Sequence, residues 1–364
     1  MIHSEYIKLA LDLALRAKGK TSPNPIVGAV IVKNSRIIST GYHHRYGGDH
    51  AEIVALKKAK NQARGATLYV TLEPCGHFGK TPPCVDAIIE SGIKEVIIGA
   101  IDPNPLNSGK SLMKLRRAGI KIKVGFLEKE LKKVNESFIK FITRKMPFVV
   151  VKCAQTLDGK IATFSGQSQW ITSQKSRDYA HQLRNDFDAI LVGVNTVLKD
   201  DPYLNAAKKT KQIKKIVVDT TLRTALKANL FKGTKPENIF FATTRKASPR
   251  KISQFLAKGV NVIICPQQKE GVDLKWLLKE LGRRGISNVL VEGGSKVLGS
   301  LFKAKLVDKV LVVIAPKIMG DETAISSVRG LRISDVGRAI CLRDIEVKNI
   351  SEDILVTGYV YGNR

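Results

Sequence analysis

The residues with the most chemical potential fall in two short stretches. In HAEIVALKKA, His50 to Ala59, a histidine stands two residues before Glu52 at the start of a helix-like segment. In TLEPCGHFGKTPPC, Cys75 and Cys84 stand nine positions apart, each directly after a proline, around a loop that carries glycine and proline. An imidazole and two thiolates match the ligand types of catalytic zinc sites, which take three protein ligands and leave the fourth position to water. Helix starts suit thiolates, because free N–H groups and the helix dipole stabilise negative charge there. Glu52, which is not itself a ligand, is then placed to carry protons to and from that water.

Each half of this constellation has a plainer explanation. His-x-Glu alone is accounted for by two polar residues on a helix start. The thiols alone could be structural, although their spacing is outside the common structural zinc motifs and a structural site would want a fourth ligand, for which His77 is the nearest candidate. Together, His-Ala-Glu followed by Pro-Cys and a second Cys matches the zinc deaminase signature, in which metal-activated water attacks an amino-bearing ring carbon while the Glu shuttles protons.

For three ligands to reach one ion, two helix starts must face each other, and the surrounding pattern supplies such elements. Residues 3–18 read as a helix, with Ile7, Leu11 and Leu15 on one face. IVGAVIVKNSRIIST reads as two strands joined at Lys33–Asn34, Ala51 to Lys60 as a helix and ATLYVTLEP as a strand. CVDAIIESG and SLMKLRRAG read as helices around the strand EVIIGAID, followed by the short strand IKIKVG. This alternation predicts a sheet between helices. Residues 127–145 read as one charged amphipathic helix, which Met146-Pro147 ends, so a domain boundary is expected at about 145. Beyond it, FVVVKCAQ, AILVGVNT, KKIVVD, NIFFATT, VNVIIC, NVLVEGG and KVLVVIAP read as strands, and 176–186, 248–257, 273–283 and 295–304 as helices.

Composition narrows the class. With 364 residues, 43% hydrophobic and 26% charged, the chain has a globular profile and room for two domains. No apolar run is long enough to span a membrane, and the N-terminus lacks the apolar core and cleavage site of a signal peptide. A cytoplasmic enzyme is expected. The net charge of +29 is spread, with 25 basic against 12 acidic residues up to residue 145 and 36 against 20 beyond. Nucleic-acid footprints are usually clustered, so the field is better matched to an anionic small molecule such as a phosphate ester. Five cysteines form no even framework and point to a reducing compartment. Cys153, Cys265 and Cys341, among apolar neighbours, read as buried thiols.

Residues 1–145 resemble cytidine-deaminase-like domains, but with eight residues between the thiols instead of the usual two. That longer loop, with TSPNPIVGAVIV, GYHHRYGGDHAE and AIDPNP, resembles the bacterial family of bifunctional riboflavin-biosynthesis enzymes. The resemblance continues through KCAQTLDGKIAT, SQWITS, DAILVGVNTVLKDDP, VEGGS and APKIMG, and so covers nearly the whole chain. It implies a three-layer α/β deaminase domain over 1–145 and a dihydrofolate-reductase-like α/β domain over 146–364. The first would hydrolyse an amino group from 2,5-diamino-6-ribosylamino-4(3H)-pyrimidinone 5′-phosphate, with Zn2+ on His50, Cys75 and Cys84 and Glu52 as proton carrier. Asn24, His77, Lys80 and Asn104 would contact that substrate. For Asn24 and Asn104 the alternative is a turn residue beside proline.

The second domain would use NADPH to reduce the ribosyl group to a ribityl chain. No G-x-G-x-x-G follows a strand, so a Rossmann site is not expected. The resemblance implies cofactor contacts at Ala154, Trp170, Thr196, Asp200, Gly294 and Ser295. Ser168, Arg184, Leu204 and Glu292 would meet the substrate, and Lys152 and Asp158 would lie near the reacting ribose. The alternatives are a solvated strand end for Lys152, an Asp-Gly turn for Asp158 and a core aromatic for Trp170. Two departures from the family pattern stand out. DPNP is followed by Gly109-Lys110-Ser111 where the family has Gly-x-Gly. After Leu204, where it offers an arginine, this chain reads NAAKK, so Lys208 or Lys209 would have to take the place that Ala207 cannot fill. The expected partner is a phosphorylated pyrimidine, not nucleic acid or membrane, and a homo-oligomer is expected. The competing readings are a deaminase with a decayed reductase half, a nucleic-acid-editing deaminase, and a zinc-stabilised scaffold without chemistry.

Overall fold

The computed structural model describes residues 3–79, 82–208, 210–269 and 271–360. It divides into two compact units, Met1–Met146 and Pro147–Arg364. In the first, α1 (His3–Leu15) precedes the hairpin β1 (Gly28–Lys33) and β2 (Arg36–Tyr42), then α2 (Ala51–Ala59), β3 (Thr67–Leu72), α3 (Cys84–Glu90), β4 (Glu95–Ala100), α4 (Lys110–Arg117), β5 (Lys121–Val124), α5 (Glu128–Val134) and α6 (Glu136–Arg144). The sheet order is β2-β1-β3-β4-β5, antiparallel at β2, β1 and β3 and parallel from β3 onward.

The hairpin turns at Asn34 and Ser35, both with positive φ, as a tight two-residue turn between twisted strands requires. β1, β3 and β4 are buried along nearly their whole length. That is the signature of strands covered on both faces, and register shows which helices cover which. A Cβ on Gly28 would meet the Ala10 carbonyl of α1 at 1.9 Å, and one on Gly41 would meet the Ala51 carbonyl of α2 at 2.3 Å. Gly28 pairs with Tyr42 and Ala29 with Gly41, so α1 and α2 lie on opposite faces. The unit therefore has three layers. In α1 the buried stripe is Tyr6, Ile7, Ala10, Leu13 and Ala14, whereas Leu15 is exposed.

The single helix expected over 127–145 is two helices broken at Asn135. That residue is drawn inward: its Oδ1 accepts from Ile26 N at 2.9 Å and its Nδ2 donates to Ile26 O at 3.0 Å. Its backbone leaves the helical region, with φ −107° and ψ 17°. An asparagine that bonds backbone elsewhere competes with the helix ladder, and here it wins.

The second unit contains β6 (Phe148–Thr156), β7 (Lys160–Ala162), α7 (Gln174–Leu183), β8 (Ala189–Gly193), α8 (Val194–Asp200), β9 (Lys214–Val218), β10 (Ile239–Thr243), α9 (Pro249–Ala257), β11 (Asn261–Ile264), β12 (Gln267–Gln268), β13 (Gly271–Val272), α10 (Leu274–Arg283), β14 (Asn288–Glu292), α11 (Ser295–Lys303), β15 (Lys309–Ala315), β16 (Ile325–Ser326), β17 (Leu342–Ile350) and β18 (Asp353–Val360). Nine strands form one sheet in the order β11-β10-β9-β8-β14-β6-β15-β18-β17. It is parallel from β11 to β15 and antiparallel across β15, β18 and β17.

Three differences from the sequence reading stand out. VNT, read as the end of a strand, opens α8. The hairpin β17–β18 has no counterpart among the strands expected from the sequence. Cys341, read as buried, is exposed beside that hairpin, while Cys265 is buried and Cys153 half-buried. All five cysteines are free thiols. Among the described residues no helix is long and apolar enough to cross a membrane.

Candidate functional site

In the first unit the ends of β3 and β4 and the starts of α2 and α3 converge. His50 is the N-cap of α2, and Gly41 lets the first turn of that helix lie directly against β2. β3 stops at Leu72, the chain turns through Glu73-Pro74-Cys75, and Cys84 opens α3. His50 Nδ1 lies 3.2 Å from Cys84 Sγ and 3.5 Å from Cys75 Sγ. The ligand atoms of His50, Cys75 and Cys84 all fall within 4.8 Å of one another. Zn–N of about 2.0 Å and Zn–S of about 2.3 Å at a tetrahedral angle put nitrogen and sulfur about 3.5 Å apart, so the trio fits zinc. Backbone bonds hold the thiols in register: Cys84 N donates to Cys75 Sγ at 3.3 Å, and Val85 N to Cys75 O at 3.2 Å.

The electrostatics agree with a metal-binding pair. The Cys75 thiol is pulled down to about 4, first by its hydrogen bond with Cys84 and then by His50, against the effect of burial. Cys84 is pushed up by the same bond and by burial. Cys75 is then already a thiolate at neutral pH, and a divalent ion would release the remaining proton from Cys84. Glu52, 3% exposed in the first turn of α2, has its pKa raised to about 7 by burial and by the nearby Cys75 charge. A carboxyl poised there both accepts and returns a proton near neutral pH.

Asn24 faces this centre through a residue the sequence reading did not single out. His43 is buried, Nδ1 donating to Asp49 O at 3.0 Å and Nε2 lying 3.3 Å from Asn24 Nδ2. Because a carbonyl only accepts, Nε2 of the neutral ring must accept from Asn24. Burial keeps the ring neutral by lowering its pKa. The amide of Asn24 is thereby oriented, leaving Oδ1 as an acceptor. The His43 ring also packs edge-on against His50, with centroids 5.3 Å apart.

His77 Nδ1 is buried with no hydrogen-bond partner among the described residues. Lys80 lies outside the described residues. The Asn104 side chain forms its own turn, Oδ1 accepting from Leu106 N at 3.1 Å, so the turn reading accounts for that oxygen.

In the second unit a cavity of about 1130 Å3 opens at the carboxyl ends of β6, β8 and β14, where ligands sit in open α/β sheets. It collects Lys152, Ala154, Ser168, Trp170, Arg184, Thr196, Asp200, Leu204, Glu292, Gly294 and Ser295. Of the expected reductase residues only Asp158 is missing from this lining. Its carboxylate is committed elsewhere: it accepts from Thr156 Oγ1 at 2.5 Å, Gly320 N at 2.9 Å and Met319 N at 3.2 Å. Those bonds lower its pKa to about 2, and they make Asp158 a clamp between the turn after β6 and the segment after β15.

Arg184 and Glu292 form a bidentate pair, Nε to Oε1 at 3.0 Å and a terminal nitrogen to Oε2 at 2.7 Å. The other terminal nitrogen of Arg184 donates to Asn205 O at 2.9 Å. Burial penalises the Glu292 carboxylate, but the Arg184 charge and hydrogen bonds outweigh it and hold the pKa below the ordinary value. Lys152 pairs in register with Glu292 across β6 and β14, so it is not a solvated strand end. Trp170 is 61% exposed rather than a core aromatic, with the Arg177 guanidinium 4.3 Å over its ring. After β14, Gly293 and Gly294 both take positive φ before α11, turning the chain so that backbone N–H groups head the helix. Lys208 does not line the cavity, and its backbone N–H is bound to Asn185 Oδ1 at 2.9 Å. Lys209 lies outside the described residues. The chemistry-bearing residues Arg177, His181, Lys199 and Arg223 also line the cavity. No spacing marked them in the sequence, because only the fold brings them to one cleft.

Comparison with known proteins agrees in both halves. Residues 147–356 match the family model described as RibD C-terminal domain, and residues 1–100 match the cytidine and deoxycytidylate deaminase zinc-binding region. The chain is 46% identical over 357 residues to riboflavin biosynthesis protein RibD of Aquifex aeolicus, covering 98% of each chain. It superposes on Acinetobacter baumannii RibD with a TM-score of 0.88 at 31% identity, covering 98% of each chain. A Thermotoga maritima structure described as a diaminohydroxyphosphoribosylaminopyrimidine deaminase/5-amino-6-(5-phosphoribosylamino)uracil reductase gives 0.86 at 38% identity, again covering 98% of each chain.

Proposed function

The chain belongs to the RibD family of bifunctional riboflavin-biosynthesis deaminase/reductases, and from that premise we propose which residues perform its two reactions. The deaminase, residues 1–145, acts on 2,5-diamino-6-ribosylamino-4(3H)-pyrimidinone 5′-phosphate. The reductase, residues 146–364, then converts the ribosyl group to a ribityl chain. The observation that carries the first assignment is the convergence of His50, Cys75 and Cys84 beside the buried Glu52.

His50 Nδ1 and the sulfurs of Cys75 and Cys84 would hold zinc, which would supply Lewis-acid activation of water at neutral pH. Glu52 takes a proton from the attacking water and delivers one to the departing amino group, which its elevated pKa allows without a change of pH. Asn24 Oδ1, oriented by His43, accepts from an N–H on the pyrimidine edge. His77, whose buried Nδ1 in the loop between the thiols has no hydrogen-bond partner among the described residues, and Lys80 in the same loop take the ribose phosphate. Asn104 contributes its turn, which shapes the loop after β4.

NADPH supplies the hydride in the second reaction. Ala154, Trp170, Thr196, Asp200, Gly294 and Ser295 form its side of the cleft. The Gly294–Ser295 turn offers N–H groups to a phosphate, and Trp170 presents a broad face. Lys152, Ser168, Arg184, Leu204 and Glu292 line the substrate side. Arg184 is fixed by Glu292 and Asn205, so its position is set before substrate arrives. Asp158 acts indirectly, by holding the 319–320 backbone. The intact Arg184–Glu292 pair in an open cleft supports a working reductase over a decayed one.

The reading extends to a cytoplasmic enzyme whose partner is a small phosphorylated pyrimidine, not nucleic acid, supported by free thiols and dispersed charge. A homo-oligomer is supported by β17, an edge strand exposing Ile345 and Val347. The deciding experiment supplies the diaminopyrimidinone phosphate with and without NADPH and follows ammonia release and NADPH oxidation separately. Ammonia release without NADPH, and NADPH oxidation only after deamination, are expected. Absence of ammonia release from zinc-loaded protein would refute the first assignment, and absence of NADPH oxidation the second.

A further inference from the structure

Cys75 sits in a turn outside any strand or helix, so something other than a backbone ladder must hold its sulfur where the metal trio needs it. The peptide groups on either side of it are Pro74 O and Gly76 N, and both go to one side chain. Asn107 Oδ1 accepts from Gly76 N at 2.9 Å, and its Nδ2 donates to Pro74 O at 3.2 Å. The second N–H of that amide donates to Asp102 Oδ2 at 3.1 Å. Asn107 is fully buried, and the turn reaches it across 31 residues of sequence.

A second tie runs the other way. Glu73, two residues before Cys75 and buried, accepts from Asp102 N at 3.2 Å, Gly109 N at 3.0 Å and Ser111 Oγ at 2.5 Å. The turn at Cys75 and the segment 102–111 are therefore stapled together at two points. Ser111 stands where the sequence departs from Gly-x-Gly, and the structure shows what that hydroxyl does. The network is polar, enclosed and mutually satisfied, so removing one member leaves buried groups without partners.

We propose that Asn107 is a positioning residue for the metal centre, fixing Cys75 by holding both peptide groups that flank it. The inference deepens the zinc assignment and rests on it. Outer groups that orient metal ligands contribute about ten- to hundredfold in metal affinity. Asn107→Ala leaves Gly76 N and Pro74 O without their partner, and the sulfur then keeps its contacts with His50 and Cys84 while the turn retains the tie at Glu73 alone. The segment that Asn107 locks also carries Asn104, whose carbonyl accepts from Asn107 N at 2.8 Å. Metal retention and the shape of the loop after β4 thus depend on one side chain.

The test uses the full chain loaded with zinc. Release of zinc to an excess of a colour-forming chelator at neutral pH is timed for wild type and Asn107→Ala, and the absorption spectrum is recorded after replacement of zinc by cobalt(II). The variant should release zinc about ten- to hundredfold faster and show displaced thiolate–cobalt bands, while NADPH oxidation by the second unit with an already deaminated substrate is unchanged. Release and spectrum both equal to wild type would overturn the proposal. Should Asn107→Ala not fold in its first unit, the isosteric Asn107→Asp removes the donors to Pro74 O and Asp102 Oδ2 and keeps the acceptor for Gly76 N. Faster release from that variant supports the staple, and an unchanged rate overturns it. A wild-type chain that retains no zinc would instead overturn the metal reading itself, and this role with it.

Discussion

Removing the Arg184 guanidinium tests the construction of the reductase cleft. The side chains of Arg184 and Glu292 are 18% and 11% exposed, and they meet through two parallel hydrogen bonds. Deleting one partner of a buried pair costs about 3–5 kcal/mol, because the other charge is left without compensation. Lys152 sits beside Glu292 in register and compensates in part, so the lower end, about 3 kcal/mol, is expected for Arg184→Ala at pH 7. With a urea slope of about 3 kcal/mol/M, the unfolding midpoint should fall by about 1 M. The two tryptophans, Trp170 and Trp276, both lie in the second unit, so intrinsic tryptophan fluorescence reports that unit alone.

The sign of the pH dependence separates this account from a simple loss of packing. In the wild type the folded pKa of Glu292 is below the ordinary 4.5. The pair therefore stabilises the fold above that range, and the contribution is lost as pH falls through the lowered value. In Arg184→Ala burial acts without its main opponent and raises the folded pKa. That variant is penalised while the carboxylate is charged and relieved as it protonates. The gap between the two proteins should narrow from pH 7 toward pH 4.5. Replacing both residues by methionine should recover most of the stability while NADPH oxidation stays lost. A midpoint shift that is absent, or equal at both ends of that pH range, would refute the reasoning.

Other consequences can be checked with the same two assays. Glu52→Gln should lower ammonia release by about 10²–10⁴-fold while zinc content and NADPH oxidation with an already deaminated substrate persist; a scaffold without chemistry predicts no change. Stripping zinc with a chelator should abolish ammonia release and leave the second unit reducing an already deaminated substrate, with recovery on adding zinc back. Lys208→Ala should leave the reductase KM unchanged, because that side chain does not line the cleft; a raised KM would restore it as the substitute for the missing arginine. His43→Ala should raise the deaminase KM by freeing the Asn24 amide to rotate, a loss of about one hydrogen bond or 1 kcal/mol.

What could be seen in the sequence depended on how local its cause was. The helix starts at Ala51 and Cys84 and the hairpin at Asn34 follow from neighbouring residues, so periodicity and turn chemistry exposed them. The metal trio was visible because reactive residue types are scarce, and His50, Cys75 and Cys84 had few competing explanations once taken together. Asn135 shows the opposite case. Its segment has every local reason to continue as a helix, and the break comes from a bond to Ile26, 109 positions away. Asp158 is expected near the reacting ribose from the family resemblance, with an Asp-Gly turn as the alternative, yet its carboxylate is spent on the Met319 and Gly320 backbone, more than 160 positions on. Asn107 is harder still, for nothing in LNSGKS marks a buried amide that reaches back to Pro74 and Gly76. Scarce reactive side chains announce a site, whereas the asparagines and carboxylates that hold it in place are common residues. Their roles exist only once the chain has folded back on itself.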